Sequence, residues 1–304
     1  MPHVQANGLR IEYETFGNPQ QPCVLLVMGL GMQMIGWPDD FCRQLAAAGY
    51  HVVRFDNRDI GLSTHMGHLG KPNLLWNIAK HSLGMKITAP YSLADMARDA
   101  LGLLDALHIE HAHVVGVSMG GMIAQTLTGI APERVLTLTS IMSTSGARGL
   151  PGPTPRAKAA ILSRPPRGAY QPHKRDLLVE HYLGAIRVIG SPGFPMSDDA
   201  HRARIRRWLD RSIYPEGVLR QLLAVVQGPD RTPLLQRIER PTLVVHGKED
   251  PLVPLACGRD TAAKIPAARL VEVPGMAHDL PPGVCEVLLH ELIPHFRHDT
   301  GARS

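Results

Sequence analysis

The sequence is poor in cysteine and has no long hydrophobic run, and both absences narrow the classes of protein that it can encode. Four cysteines in 304 residues, none in a C-x-x-C pair, are too few for a disulfide framework; they are Cys23, Cys42, Cys257 and Cys285. We therefore expect free, buried thiols and a cytoplasmic protein. No run reaches the roughly 18 apolar residues that cross a bilayer, which argues against a transmembrane helix. The N-terminus also lacks the basic and apolar segments of a signal peptide.

Charge is limited as well, at 19% of residues, whereas 44% are apolar. This balance argues against a disordered chain and suffices for a sizeable core. The net charge of +5 is spread along the chain without a long basic block, so we do not expect nucleic acid as a partner. One basic stretch, residues 201–209, predicts a helix whose arginines adjoin Ile205, Trp208 and Leu209. We interpret it as an exposed helix face, with membrane contact through anionic lipid, or an anionic substrate, as the alternative.

Strand and helix patterns alternate through the first half of the chain. The segments with period-2 alternation or short apolar runs lie at residues 9–16, 23–28, 51–55, 113–117 and 135–142. Helix patterns at residues 39–48, at 92–107 and after 119 separate them. Repeated βα alternation predicts an α/β protein with a mostly parallel sheet that helices cover on both faces.

The alternation stops after residue 143. Gly- and Pro-rich linkers and helix patterns fill residues 144–238; the helix patterns lie at 174–189, 198–211 and 217–226. Strand patterns return at 242–246 and 269–273, and a closing helix is expected at 283–296. We therefore predict a core domain of residues 1–143 and 239–304 with an inserted helical cap, residues 144–238. A short amphipathic helix is also expected over residues 72–85.

A G-x-S-x-G pattern lies at residues 116–120, directly after an apolar strand and before a helix. This context is typical of a nucleophile elbow, a sharp turn that presents a serine side chain, here Ser118. The turn is sterically crowded, so glycines are needed two positions to either side of the serine. The alternative is a glycine-rich turn without chemistry.

A serine hydroxyl needs a base to take its proton and an acid to orient that base. The loops after the last two strand patterns present both, because Gly-Lys-Glu-Asp-Pro exposes Asp250 and Pro-Gly-Met-Ala-His exposes His278. Glu249 competes as the acid, but Asp250 directly before Pro251 matches a G-x-x-D-P form and is favoured. The sequence therefore predicts a triad of Ser118, Asp250 and His278.

An oxyanion hole needs two amides aimed where negative charge develops. Met119, directly after the serine, supplies one. The second is expected from Leu30, in the Gly-Leu-Gly segment that follows the strand at 23–28, with Gly29 and Gly31 as alternatives.

Together these motifs resemble the α/β-hydrolase superfamily over nearly the whole chain except the cap. The resemblance rests on residues 29–31, 56–63 and 116–121 and on the loops that carry the acid and the histidine. It implies an α/β-hydrolase fold, with an eight-stranded, mostly parallel sheet flanked by helices and the cap as a lid. Met28 replaces the His of the superfamily's His-Gly oxyanion motif. We interpret residues 56–63 as structural.

Three shorter segments, residues 36–41, 241–245 and 274–278, resemble the aclacinomycin methylesterase branch and related bacterial carboxylesterases and lipases. The expected activity is that of a serine carboxylesterase acting through an acyl-enzyme on Ser118. The alternatives are a methylesterase of a polycyclic natural product, a lipase- or lysophospholipase-like hydrolase, and a slow-turnover ligand receptor.

The expected partner is a small-molecule ester with a short to medium acyl chain. We expect the cap to roof an apolar pocket to which Gly29, Met32, Trp37 and Met119 contribute, together with other methionines of the surrounding loops. No metal or organic cofactor is expected. His108, His111 and His113 lie close together, but they precede the strand at the end away from Ser118 and are interpreted as a solvated turn.

Overall fold

The computed structural model describes residues 2–73, 76, 77, 85 and 87–297. Within them the strands are β1 (His3–Ala6), β2 (Leu9–Phe16), β3 (Cys23–Val27), β4 (His51–Phe55), β5 (Ala112–Val117), β6 (Val135–Ile141), β7 (Thr242–Gly247) and β8 (Arg269–Val273). They form one sheet in the order β1-β2-β4-β3-β5-β6-β7-β8. β2 pairs antiparallel with β1 and β4, and the other pairs are parallel. The predicted eight-stranded, mostly parallel sheet is confirmed, whereas the helix expected over residues 72–85 falls largely outside the described residues.

Helices pack on both faces of the sheet. Those of the described residues are α1 (Asp39–Ala47), α2 (Leu93–Ala106), α3 (Met119–Ile130), α4 (Pro155–Leu162), α5 (Arg175–Ile189), α6 (Asp198–Arg211), α7 (Pro215–Gln227), α8 (Thr232–Leu235), α9 (Leu255–Lys264) and α10 (Pro282–Arg297). Alternate side chains of β3 enter two separate cores: Leu25 meets α2 and α3, whereas Leu26 meets α1 and α10. Burial on both faces explains why β3 reads as an unbroken apolar run.

The chain between β6 and β7 contains five helices and no strand among its residues, all of which the structure describes. Helices α5 and α6 form a small core of their own around Leu183, Ile205 and Leu209. This arrangement agrees with an inserted helical cap, and its boundaries at residues 144 and 238 stay a prediction.

Three arginines of the cap bind aspartates of the core domain. Arg220 and Asp59 form a pair that is fully buried on both sides, with Nε and Oδ2 2.8 Å apart. Arg211 reaches Asp56 at 2.6 Å in a similarly buried site. The more exposed Arg207 reaches Asp39 at 3.0 Å. Residues 56–63 therefore carry the buried charges that attach the cap to the core.

The basic stretch of α6 is largely neutralised by carboxylates. Arg202 binds Glu180 at 2.7 Å and Arg206 binds Asp176 at 3.1 Å. Because these cations already have partners within the cap, we favour the interpretation of an exposed helix face over that of a membrane contact. Among the described residues, no helix is both long enough and apolar enough to cross a bilayer.

Candidate active site

Ser118 lies in a strained turn between β5 and α3. Its backbone has φ 55° and ψ −121°, a region that non-glycine residues occupy at a cost of about 1–3 kcal/mol. The flanking glycines make the turn possible, because a Cβ on Gly116 would lie 2.1 Å from Gly120 O, and one on Gly120 would lie 2.1 Å from Val27 O. The Ser118 N–H donates to Ile141 O at 2.9 Å, which ties the turn to β6. This is the geometry that the G-x-S-x-G pattern predicts.

The structure brings the side chains of Ser118, His278 and Asp250 together. His278 Nε2 lies 3.0 Å from Ser118 Oγ, and His278 Nδ1 lies 2.7 Å from Asp250 Oδ2. The second carboxylate oxygen, Asp250 Oδ1, accepts the N–H groups of Leu252 and Val253, both at 2.8 Å. Asp250 is only 6% exposed, and hydrogen bonds to both of its carboxylate oxygens hold the side chain in one orientation. The three residues form a hydrogen-bonded chain that can move a proton from the serine to the histidine.

Glu249, the competing acid, has a different partner. Its Oε2 accepts the N–H of Gly275 at 2.6 Å, and its own N–H donates to Met276 O at 3.1 Å. These bonds tie the β7 and β8 loops together. Glu249 therefore fixes the spacing between the loops that carry Asp250 and His278.

The two amides expected to form an oxyanion hole belong to Leu30 and to Met119, the residue directly after Ser118. The N–H groups of Leu30 and Met119 donate to no acceptor among the described residues. Gly31, an alternative donor, already donates its N–H to Gln221 Oε1 at 2.9 Å. Gly29 lies directly against the nucleophile, because a Cβ there would lie 3.2 Å from Ser118 Cβ. Leu30 therefore remains the expected second donor, and Gly29 remains the alternative to it.

Met28 lies directly before the Gly-Leu-Gly segment that carries Leu30. Its side chain fills the space beside Gly36, where an added Cβ would come within 2.7 Å of the methyl carbon of Met28. The carbonyl of Met28 accepts the side-chain amide of Asn57 at 2.9 Å. Asn57, one of residues 56–63, therefore holds the loop after β3 in place.

Two of the side chains expected to line the substrate pocket are buried in the core of this structure. Trp37 is fully buried and stacks on Phe41 with ring centroids 5.4 Å apart, because the turn after β3 directs it into the core beneath α1. Met119 is 1% exposed, so its side chain packs in the core. Five other methionines near the site are likewise core residues rather than pocket lining: Met28, Met34, Met122, Met142 and Met276. Of the predicted pocket side chains, Met32 is accessible, at 42% exposure.

A cavity of about 10 Å³ lies between the cap and residues 60–61, and Tyr182, Trp208 and Val218 contribute to its lining. It has space for about one water molecule, and none of the triad residues contributes to its lining. The neighbouring Val218 also contacts Gly31, so this apolar side of the cap borders the proposed oxyanion loop.

His113 is not part of a solvated turn, contrary to the expectation. Its ring is 2% exposed, stacks on Phe296 and lies 3.0 Å from the hydroxyl of Thr137. Burial lowers the pKa of His113 to about 3. Among the described residues, no group of three or more His, Cys, Asp or Glu side chains could hold a metal ion. The four cysteines are buried and unpaired.

Sequence patterns missed three residues that contact the site from outside it. Gln221 of α7 binds the oxyanion loop through Gly31 and binds Arg58 O at 2.8 Å. Ser191 and Asp279 hold the backbone around His278. The position of Asp279 next to the histidine was the one available signal, because a long-range contact with the cap leaves no local pattern.

Comparison with known proteins agrees with this geometry. Residues 24–284 match the family described as "Alpha/beta hydrolase family". A rhodomycin D methylesterase from Streptomyces sp. (strain C5) is 32% identical, over 93% of this chain and 94% of its own. A second, from Streptomyces peucetius, is 30% identical over the same shares. The meta-cleavage product hydrolase of Pseudomonas fluorescens IP01 has a similar fold, with a TM-score of 0.74 at 18% identity and 98% coverage of both chains.

Proposed function

Because the chain belongs to the alpha/beta hydrolase family, we propose that it is a serine carboxylesterase that works through an acyl-enzyme on Ser118. One observation carries the proposal. Two hydrogen bonds in series, of 3.0 Å and 2.7 Å, link Ser118 Oγ to His278 and His278 to Asp250. A serine with an oriented base behind it is the arrangement of an activated nucleophile.

The first half of the proposed reaction forms the acyl-enzyme. Asp250 accepts the Nδ1–H of His278, which leaves Nε2 unprotonated to take the Ser118 proton as Oγ attacks the ester carbonyl. The amides of Leu30 and Met119 would then donate to the oxyanion. His278 gives its proton to the leaving alkoxide, and the alcohol departs.

The second half returns the enzyme to its starting state. His278 removes a proton from water, the resulting hydroxide attacks the acyl carbon, and collapse of the intermediate returns that proton to Ser118 Oγ. The products are the carboxylic acid and the alcohol. The carboxylate of Asp250 stabilises the imidazolium charge, and the two amides stabilise the oxyanion by donating hydrogen bonds. The proposed steps therefore need no further ionic group from the chain.

Two substrate classes remain candidates, and both keep the same chemistry. An ester with a short to medium apolar acyl chain is supported by the exposed apolar side chain of Met32, which follows the oxyanion loop. A methyl ester on a polycyclic natural product is supported by the similarity to the rhodomycin D methylesterases, which spans more than nine-tenths of each chain.

A panel of substrates and one variant test the proposal. We expect multiple turnover of p-nitrophenyl esters, with activity highest for acyl chains of about four to eight carbons, since each methylene adds about 0.8 kcal/mol until the pocket is full. Methyl esters of fused-ring acids belong in the same panel. Preference for these over aliphatic esters would support the methylesterase alternative. Preference for palmitate, with activation at an oil surface, would support a lipase, and a single turnover would support a ligand receptor.

Ser118→Ala should fold normally and lose activity by about 10⁴-fold or more, because the triad acts as a unit. Labelling by an organophosphonate, located by mass spectrometry, should give one adduct on Ser118 of the wild type and none on the variant. Retention of more than a tenth of wild-type activity would refute the nucleophile assignment. Turnover of 2-hydroxy-6-oxononadienedioate without any ester activity would refute the proposed reaction, since hydrolases of that compound are 29% identical to this chain.

A further inference from the structure

The loop that carries His278 is held by the cap. Between α5 and α6 the chain passes over this loop, and we call residues 189–194 the clamp segment. The N–H of His278 donates to Ile189 O at 2.8 Å, and the N–H of Gly193 donates to Gly275 O at 2.9 Å. The two glycines meet so closely that a Cβ on Gly193 would lie 2.6 Å from Gly275 Cα. The clamp segment therefore fixes the backbone of the histidine loop at two points.

Ser191 connects the two residues that flank His278. Its Oγ accepts the N–H of Ala277 at 2.8 Å and donates its proton to Asp279 Oδ1 at 2.5 Å. The N–H of Ser191 also donates to Asp279 Oδ1, at 3.0 Å. Ser191 is 5% exposed and Ala277 is 1% exposed, so water does not replace these bonds easily. A lost partner here leaves a buried polar group unsatisfied.

Asp279 also lies near two basic side chains of the cap, His201 and Arg204. Burial raises the pKa of Asp279, whereas the hydrogen bonds from Ser191 and the nearby His201 and Arg204 oppose that rise. Arg204 of α6 also donates to Leu280 O at 3.1 Å. All four residues from 277 to 280 are therefore bonded to the cap.

We propose that Ser191, acting with Asp279, is a positioning residue for His278, and that the cap thereby completes the catalytic triad. The proposal rests on the proposed function, in which His278 is the general base. Ser118 and Asp250 lie on loops of the core domain, so the direction of the imidazole depends on a backbone that the cap holds. A cap that swung away as a rigid lid would break these bonds and withdraw the base from the nucleophile. Catalysis therefore requires the clamp segment to be seated on the histidine loop.

Removal of the Ser191 hydroxyl tests this role. We expect Ser191→Ala to lower kcat by roughly 10- to 100-fold with KM within about twofold of wild type, because small misplacements of a reacting group have effects of this size. Ser191→Thr, which keeps a hydroxyl, should restore most of kcat. Ser197→Ala is the matched control, because Ser197 also accepts one backbone N–H in the cap, that of Ala200, but does not bind the histidine loop. Its kcat should stay within about twofold of wild type.

Active-site titration with the organophosphonate corrects each kcat for the fraction of folded enzyme. An unchanged kcat in Ser191→Ala would overturn the proposal, and so would a rise in KM alone, which would mean that Ser191 touches the substrate. Hydrogen exchange of residues 274–280 tests the clamp without any substrate. Exchange at Ala277 and His278 should rise in Ser191→Ala and not in Ser197→Ala, and unchanged exchange would overturn the proposal. Failure of the proposed function would appear separately, as a wild type that has no Ser118-dependent turnover.

Discussion

The buried pair of Arg220 and Asp59 offers a quantitative test of how the cap is attached. Both side chains are fully buried, and the guanidinium binds the carboxylate at two points, 2.8 Å and 2.9 Å. In Arg220→Met the carboxylate of Asp59 keeps the N–H of Met66 as a donor, at 2.7 Å, but loses its buried positive partner. Removing one partner of a buried pair in this way costs about 3–5 kcal/mol. We expect the free energy of unfolding to fall by that amount.

Urea unfolding checks this value, with tryptophan fluorescence and far-ultraviolet circular dichroism as two probes, because a capped protein of this size can unfold in stages. Arg207→Ala is the control, since Arg207 is 55% exposed and such pairs contribute at most about 1 kcal/mol. Asp59→Asn suits the second half of a double-mutant cycle, because Asp59 has φ 68° and asparagine tolerates that conformation. The double variant should be more stable than Arg220→Met alone. A loss below about 1 kcal/mol in Arg220→Met, or strict additivity in the cycle, would refute the reasoning.

Two further predictions concern Asp250 and His113. Asp250→Asn should preserve the fold and lower kcat by about 10⁴-fold by favouring the wrong imidazole tautomer, whereas Glu249→Gln should change kcat little; the reverse result in a steady-state assay would make Glu249 the acid. Burial lowers the pKa of His113 from its ordinary value of 6.5 to about 3. The unfolded chain therefore binds more protons in this window, and stability falls as the pH drops from 6.5 towards 3, by up to about 1.4 kcal/mol per pH unit. His113→Gln should flatten this part of the stability profile in urea titrations, and a profile identical to that of the wild type would contradict the assignment.

Local patterns predicted the sheet and the turn at Ser118 because each depends on residues that are adjacent in sequence. The strand β3 is apolar because it is buried on both faces, and Gly116 and Gly120 are required by contacts within one turn. The resemblance to the α/β-hydrolase superfamily and its methylesterase branch is confirmed by the family match and the curated relatives.

Features that depend on distant contacts escaped prediction. Trp37 was expected in the pocket, but a loop has no period that reveals which face a side chain takes. The first turn of α7 was also missed, although Pro215 is typical of a first helical position. Ser191 and Asp279 are 88 residues apart in sequence. No local signal connects them, so only the folded chain reveals their contact.

The position of the cap in the chain has a consequence for synthesis. β6 pairs with β7, yet about one hundred residues separate them in sequence. At roughly 5–20 residues per second, the β7 side of β6 stays unpaired on the ribosome for about 5–20 s. An open, apolar sheet edge invites pairing with other chains during that interval. A nascent chain that stalls before residue 242 therefore exposes this edge, and it holds the nucleophile Ser118 without Asp250 or His278.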